Sequence, residues 1–154
     1  MRGTQARQRK SAARLYAVQA LFQMEAAGAP ADRVAREFET HRFGETIDEQ
    51  ELAEGHVDLF RRITTEAVNR QAQVDQLTDR ALVARWPIAR IDPTLRALFR
   101  AAGAELVASD TPPRVVIAEY VDVADAFYPE GKEKGFVNAV LDHMARDAKP
   151  EAFA

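Results

Sequence analysis

The sequence predicts an all-α protein, a helical bundle of about seven helices, and three observations lead to this prediction. Prolines divide the 154 residues into stretches of helical length; they are Pro30, Pro87, Pro93, Pro112, Pro113, Pro129 and Pro150. Within those stretches apolar residues recur at spacings of three and four, which gives each stretch one apolar face. Strand patterns are nearly absent, because the one β-branched run, residues 114–121, also has helical spacing. Amphipathic helices joined by short loops are typical of a bundle.

Three helices are predicted in the N-terminal half. The apolar face of the first is formed by Leu15, Val18, Leu21 and Phe22. A second helix runs from about residue 31 to residue 43, where Gly44 ends it. The third and longest begins with the capping-box spacing of Thr46 and Glu49. Its apolar positions are Leu52, Leu59, Phe60, Ile63 and Ala67.

Four further helices follow. A short one covers residues 74–86, and Asp92 then offers an N-cap oxygen before Pro93, whose φ suits a first helical turn. Gly103, inside the helix that starts there, predicts a close approach of another helix. The apolar faces of the last three helices are Leu95, Leu98, Phe99, Ala102 and Leu106; Ile117, Tyr120, Val121, Ala124 and Tyr128; and Val137, Val140, Leu141 and Met144.

The domain organisation predicted is simple. Residues 1–10 form a basic flexible arm, residues 11–148 a single all-α domain, and residues 149–154 a loose tail. The absence of cysteine excludes a disulfide framework, a thiolate metal site and a cysteine nucleophile, and it favours a reducing compartment, the cytoplasm. No apolar run approaches the length of a membrane span, so we expect no membrane association.

The charge distribution points to a polyanionic partner. The chain has a net charge of −3, yet its first acidic residue is Glu25, and five basic residues precede it. They are Arg2, Arg7, Arg9, Lys10 and Arg14. Such an electropositive segment on an acidic body suits RNA phosphates, and Tyr16 adds a ring on which a base could stack. On charge alone, a solvated tail is the alternative.

Signs of catalysis are lacking. Neither serine, Ser11 or Ser109, lies in a nucleophile-elbow sequence, and the three histidines have no metal-ligand spacing. The sequence therefore predicts no enzyme, no cofactor and no metal. The loop around Lys132 and Lys134 does not match a nucleotide-binding spacing; we interpret it as a basic loop beside an RNA surface, with a solvated turn as the alternative.

Three carboxylates form a stripe on the sixth predicted helix. Glu119, Asp122 and Asp125 recur every three residues opposite the apolar face. Like charges at this spacing are mildly destabilising, which favours a role outside folding. We interpret the stripe as a docking surface for a basic protein, and the alternative is a solvated face.

Four segments together resemble the NusB family of bacterial transcription antitermination factors, over nearly the whole chain. They are ARLYAVQALFQME, LVARWPIARIDPTLRALFRAAGAELV, DTPPRVVIAEYVDVADAFYPE and GFVNAVLDHMA. The resemblance implies two small helical subdomains packed together and no enzymatic activity. It also implies that the chain pairs with NusE, a small ribosomal subunit protein, binds the boxA element of ribosomal RNA leaders and joins the antitermination complex of RNA polymerase.

The same resemblance indicates RNA-binding residues. The family's basic motif ends at Ala13 and Arg14, and Lys10 falls on a usual basic position. Arg7 and Arg9 supply further charge one helical turn upstream, and Phe136 falls on an RNA-facing aromatic.

Other functions stay open at this point. They are an accessory NusB-like domain in ribosomal RNA modification, a helical protein-interaction scaffold, and a homodimer that covers the basic surface.

Overall fold

The computed structural model describes residues 2–41, 50–82 and 91–153. Within these ranges the backbone forms seven α-helices and one short 3-10 helix, without a strand. The helices are α1 (Arg2–Ala27), α2 (Ala31–His41), α3 (Gln50–Asn69), α4 (Gln71–Ala81), α5 (Pro93–Ala108), α6 (Pro113–Phe127) and α7 (Glu133–Ala148), and the 3-10 helix is Pro150–Phe153. The predicted all-α bundle is confirmed.

Local sequence signals explain several helix ends. Asp92 caps α5, since its Oδ1 accepts a hydrogen bond from the Thr94 backbone N–H at 2.7 Å, and Pro93 occupies the first helical turn as predicted. A single residue, Arg70, separates α3 from α4. The predicted capping box at Thr46 and Glu49, the Gly44 helix end and the last residues of the predicted 74–86 helix lie outside the described residues.

The helices pack as two groups. Helices α1, α2 and α3 contact one another, as do α4, α5, α6 and α7. Helix α5 also packs against α1 and α3, and α1 reaches α6. This arrangement matches the predicted pair of small subdomains, and it places the N-terminal helix against both groups.

One hydrophobic core is shared by the two groups. Phe60 of α3 stacks against Phe38 of α2 with ring centroids 5.8 Å apart, while Phe99 of α5 and Tyr120 of α6 are fully buried in the other group. Burying such a side chain stabilises a fold by about 1.5–3 kcal/mol. The apolar stripes read from the sequence therefore supply most of the core.

Gly103 allows α4 and α5 to approach closely, as the sequence predicts. A Cβ atom at Gly103 would lie 2.4 Å from Val74 Cγ1, well inside van der Waals contact. The missing side chain is thus a packing requirement of the α4–α5 contact.

An ion-pair network joins α1, α4 and α5 at the surface. The Glu25 carboxylate accepts hydrogen bonds from Arg96 and from Arg100, and the Arg100 guanidinium also donates to Asp75 at 2.9 and 3.0 Å. The hydrogen bond from Arg96 is the main reason that the pKa of Glu25 lies below its ordinary value.

Both ends of the described chain are helical. The predicted arm, residues 1–10, belongs from Arg2 onward to α1, which continues to Ala27. In the predicted tail, residues 149–154, residues 150–153 form a helical turn, and Lys149 Nζ donates a hydrogen bond to the Ser109 carbonyl oxygen at 2.7 Å.

Candidate nucleic-acid interface

The basic turn of α1 faces the start of α6. Arg7 and Lys10 are exposed and lie three residues apart, on one side of the helix. Together with Pro112 and Val115 of α6 they line a cleft of about 390 Å³. Within the described part of the chain neither cation has a carboxylate partner, so both charges are available to an anion. Arg9 is half-buried and takes part in a contact of its own.

Arg14, which the sequence places among the RNA-binding residues, lies in the interior. Only 3 % of its surface is exposed, and its Nε and Nη2 donate to the two carboxylate oxygens of Glu105 at 2.8 and 3.0 Å. Glu105 is equally buried. The Nε and Nη2 edge of the guanidinium is occupied by Glu105, which ties α1 to α5, and burial leaves little of the group accessible to a phosphate.

Polar neighbours complete the environment of Arg14. Its Nη1 lies 3.8 Å from Glu119 Oε2, which also accepts a hydrogen bond from Ser11 Oγ at 2.9 Å. Burial alone would lower the pKa of Arg14, but the hydrogen bonds and charge of Glu105 outweigh burial and raise it. For the adjacent Tyr120 hydroxyl, burial acts in the opposite direction and raises the pKa well above its ordinary value. Arg14 therefore stays charged and Tyr120 neutral at every physiological pH.

The two aromatic candidates occupy different environments. Tyr16 is partly buried against the core and takes part in a contact of its own. Phe136, near the start of α7, is 37 % exposed, and its ring meets the buried Phe99 ring edge-on at 6.1 Å. Phe136 thus presents part of an anchored ring to solvent, which is what base stacking requires.

The basic loop before α7 holds one free cation and one paired cation. Lys132 is exposed and has no carboxylate partner among the residues described, whereas Lys134 Nζ lies 3.8 Å from Asp125 Oδ1. The intervening Glu133 folds back over the turn, since its Oε2 would lie 2.5 Å from a Cβ at Gly131. The Glu133 Oε2 atom is therefore buried in the turn.

The predicted carboxylate stripe is divided by the structure. Glu119 is held by Ser11 and Arg14 and its side chain is only 16 % exposed, while Asp122 and Asp125 are exposed. Glu119 therefore belongs to the α1–α6 contact, and two residues of the stripe remain accessible to a partner.

An apolar cleft that the sequence did not indicate lies on the α1 surface. Its volume is about 490 Å³, and Phe22, Phe38 and Phe127 line it together with Val18 and two alanines of α1. Phe22 was predicted to face the core, but it is 40 % exposed. Leu21, the adjacent residue, points about 100° away on the helix and is buried, so Phe22 lies at the edge of the buried face of α1.

No described part of the chain carries the features of a metal centre or a membrane span. In residues 2–41, 50–82 and 91–153, no three histidine or carboxylate side chains gather as metal ligands would. None of the helices in these ranges combines the length of a membrane span with a sufficiently apolar composition.

The family relationship follows from comparison with known sequences. The sequence model of the NusB family matches residues 11–146. The chain belongs to the NusB family. Two relatives are each named transcription antitermination protein NusB. That of Maricaulis maris is 47 % identical over 94 % of this chain and 90 % of its own length, and that of Caulobacter vibrioides is 46 % identical over 92 % and 95 %.

Solved NusB structures share the fold. The chain superposes on Thermotoga maritima NusB with a TM-score of 0.70 at 26 % identity, covering 94 % of this chain and 96 % of that one. NusB from Aquifex aeolicus gives a TM-score of 0.68 at 24 % identity, covering 95 % and 93 %. A crystal structure of the antitermination factors NusB and NusE with double-stranded RNA gives 0.65 at 23 % identity, covering 91 % and 98 %.

Sequence reasoning missed the partner of Arg14 in this NusB-family chain. Glu105 is a lone acid in the otherwise apolar run AAGAELV, and a buried carboxylate requires a cationic partner. The sequence around Glu105 thus indicates a cationic partner, but it does not indicate which of the five N-terminal cations that partner is.

Proposed function

We propose that this NusB-family protein is an RNA-binding antitermination factor. With NusE, it binds the boxA element of ribosomal RNA leader transcripts in the cytoplasm, and it supports processive transcription by RNA polymerase. The observation that carries the proposal is a pair of exposed cations, Arg7 and Lys10, which line the cleft between α1 and α6 and have no carboxylate partner among the described residues. Relatives named for antitermination, and a solved complex of this fold with NusE and RNA, support it.

The electrostatics of the cleft suit a nucleic-acid backbone. Arg7 and Lys10 present two positive charges on one side of a helix, and phosphate neutralisation by such residues supplies most non-specific affinity for RNA. Glu119 also lines the cleft, where its carboxylate accepts a hydrogen bond from Ser11 and lies 3.8 Å from Arg14. In this proposal Arg14, paired with Glu105, holds α1 in place, while Arg7, Lys10 and the half-buried Arg9 face the phosphates and outnumber the one carboxylate of the cleft.

Base recognition is assigned to the start of α7. The half-exposed ring of Phe136 is fixed by its edge-on contact with Phe99, and a base that stacks on it needs no rearrangement of the protein. Lys132 lies four residues earlier, exposed and unpaired, at the helix N-cap. Lys134 contributes after release from Asp125, an exposed pair of low stability. Tyr16, partly buried, is a supporting ring in the same proposal.

The apolar cleft on α1 is the better candidate for the NusE surface. Exposed aromatic side chains in a concave apolar site are typical protein-binding features, and Phe22 is such a side chain. The carboxylate stripe predicted from sequence now offers only Asp122 and Asp125, and Asp125 already faces Lys134. We assign NusE docking to the apolar cleft. In this assignment the two exposed carboxylates of the stripe contribute no more than a charged surface beside the docking site.

Fluorescence anisotropy tests the RNA assignment. Labelled boxA RNA and a scrambled RNA are titrated with the protein across a salt series, with and without NusE. We expect preference for boxA, strengthened by NusE. The double variant Arg7→Ala/Lys10→Ala reduces the magnitude of the salt slope by about 1.4, since each phosphate contact with a single strand contributes about 0.7.

A matched control uses two arginines far from the cleft. Arg36 of α2 and Arg62 of α3 are exposed and without carboxylate partners among the described residues, so Arg36→Ala/Arg62→Ala removes the same charge elsewhere. Equal loss of affinity in both double variants would mean that net charge alone drives binding. Equal binding to both RNAs, unchanged by NusE, would contradict the proposed function.

The partner surface has its own test. Phe22→Glu places a charge in the apolar cleft while keeping a good helix former in α1. We expect this variant to bind RNA alone with unchanged affinity but to lose the enhancement by NusE. The comparison variant Asp122→Lys/Asp125→Lys reverses the exposed stripe. Loss of NusE enhancement in that variant alone would move the docking site to α6.

A further inference from the structure

The C-terminal helical turn is fastened to the α5–α6 connection. Lys149 Nζ donates to the Ser109 carbonyl oxygen, and the Ala152 N–H donates to the Lys149 carbonyl oxygen at 3.1 Å. Ser109 Oγ in turn bonds the Glu105 carbonyl oxygen and the Thr111 N–H. The turn therefore brings Phe153, partly buried against the core, to a fixed position beside the start of α6.

The Phe153 ring holds two arginines that differ in their charge partners. The Arg114 Cζ lies 4.9 Å and the Arg146 Cζ 4.5 Å from the ring centroid. Arg146 is also paired with Asp142 at 2.9 Å. Arg114 is exposed, and no carboxylate within the described ranges pairs with it. The Phe153 ring thus positions the Arg114 side chain, and no carboxylate of the described residues neutralises its charge.

Arg114 also lies next to the basic cleft. Its neighbours in the first turn of α6, Pro112 and Val115, line the cleft together with Arg7 and Lys10. That turn contains no acidic residue, and the N-terminal end of a helix carries a partial positive charge. The positive surface therefore continues from α1 across the start of α6.

We propose that Arg114 contacts an RNA phosphate as a continuation of Arg7 and Lys10, and that Phe153 positions it by stacking. The proposal rests on the RNA-binding function proposed above and adds a contact from α6 and a role for the C-terminal turn. An aromatic ring covers the face of a guanidinium and leaves its N–H donors in the plane free. Stacking thus restrains a flexible side chain without consuming the donors that a phosphate needs.

The RNA contact is tested with single-stranded boxA RNA by anisotropy across a salt series. Arg114→Ala is expected to weaken binding roughly five- to tenfold at low salt and to lower the magnitude of the salt slope by about 0.7. Arg62→Ala, which removes an exposed, unpaired arginine from α3, is the matched control and is expected to leave the slope unchanged. An Arg114→Ala variant that binds with wild-type affinity and slope overturns the proposal.

The positioning role of Phe153 needs a different readout. Phe153→Leu keeps an apolar side chain but removes the ring, and we expect it to weaken RNA binding by the otherwise wild-type protein. In the Arg114→Ala background we expect Phe153→Leu to cause no further loss of affinity, so that the two changes are not additive. Additive losses would mean that Phe153 acts on stability alone, and tighter binding of Phe153→Leu would mean that the ring shields Arg114. Either outcome overturns the positioning role. If the wild-type protein binds no RNA, the proposed function fails first and this inference fails with it.

Discussion

Arg14 and Glu105 form the buried ion pair on which the position of α1 depends. Removing one partner of such a pair leaves an uncompensated buried charge and costs about 3–5 kcal/mol. We expect Arg14→Met to lower the free energy of unfolding by this amount, measured by urea denaturation. The double variant Arg14→Met/Glu105→Leu removes both charges at similar volume, and we expect it to be more stable than the single variant.

The same double variant separates structure from RNA contact. Because Arg14 is buried and paired with Glu105, the folded double variant is expected to bind boxA RNA with an unchanged salt slope. A slope reduced by one contact in a protein of normal helicity would return Arg14 to the RNA-binding set.

Phe136 is expected to act through its ring. Phe136→Leu preserves apolar contact with Phe99 but cannot stack a base, and stacking contributes about 1–3 kcal/mol per base. Anisotropy should therefore show weaker RNA binding at a nearly unchanged melting temperature and salt slope. Restored affinity in Phe136→Tyr is the complementary result, and equal affinity of Phe136→Leu and the wild type would exclude stacking on this ring.

At the scale of the helices, Gly103 decides how closely α4 approaches α5. Alanine is the better helix former by about 1 kcal/mol, yet a Cβ here would lie 2.4 Å from Val74 Cγ1. Overpacking costs about 1–3 kcal/mol, so we expect Gly103→Ala to destabilise the protein in thermal unfolding. In a Val74→Ala background the same change should cost less, and a stabilising Gly103→Ala in the wild-type background would show that the helices can separate freely.

The Glu25 network gives α1 and α5 a contact that depends on pH. Hydrogen bonds from Arg96 hold the pKa of Glu25 below its ordinary 4.5, so the network stabilises the fold above that pH. The contribution is lost as pH falls through the lowered folded-state value. We expect Glu25→Gln to lower the melting temperature at pH 7, and we expect this difference from the wild type to disappear once the pH falls below the lowered pKa of Glu25 in the folded state. A constant difference at all pH values would indicate a packing effect instead.

The helices themselves were largely predictable, because spacing and caps are local signals. Asp92 and Pro93 specify the start of α5 without tertiary help. The helical state of residues 2–10 was not predictable from local sequence, since the arm has few apolar residues and continues a helix that is anchored further along, at Arg14. The C-terminal helical turn was not predictable for a related reason, because Lys149 anchors it through a hydrogen bond to Ser109, which lies 40 residues away in sequence.

At the scale of the whole molecule, one core runs through both helix groups. Because α5 packs against helices of each group, neither group can lose its packing without exposing the other. We therefore expect a single cooperative transition, with coincident denaturation curves from far-UV circular dichroism and from tyrosine absorbance, which reports Tyr16 of α1 together with Tyr120 and Tyr128 at α6. Separate midpoints for the two probes would show that the groups unfold independently.

The candidate site was predictable in charge but not in geometry. Sequence pattern shows that five cations precede the first acid, and family resemblance indicates which of them belong to a motif. Whether a cation faces solvent or a buried carboxylate depends on Glu105 of α5, which lies 91 residues after Arg14 in the sequence. The exposure of Phe22 depends likewise on which helices cover α1, and that information is spread over the whole chain.

The uninterrupted course of α1 sets the geometry of any assembly built on it. Lys10 and Phe22 are twelve residues apart on one rigid rod, which corresponds to a separation of about 18 Å along the axis and a rotation of about 120°. A strand of RNA held at one point and a protein docked at the other would be kept at a fixed spacing and bearing. The helix would then fix the distance and the relative orientation of the two ligands without changing its own conformation.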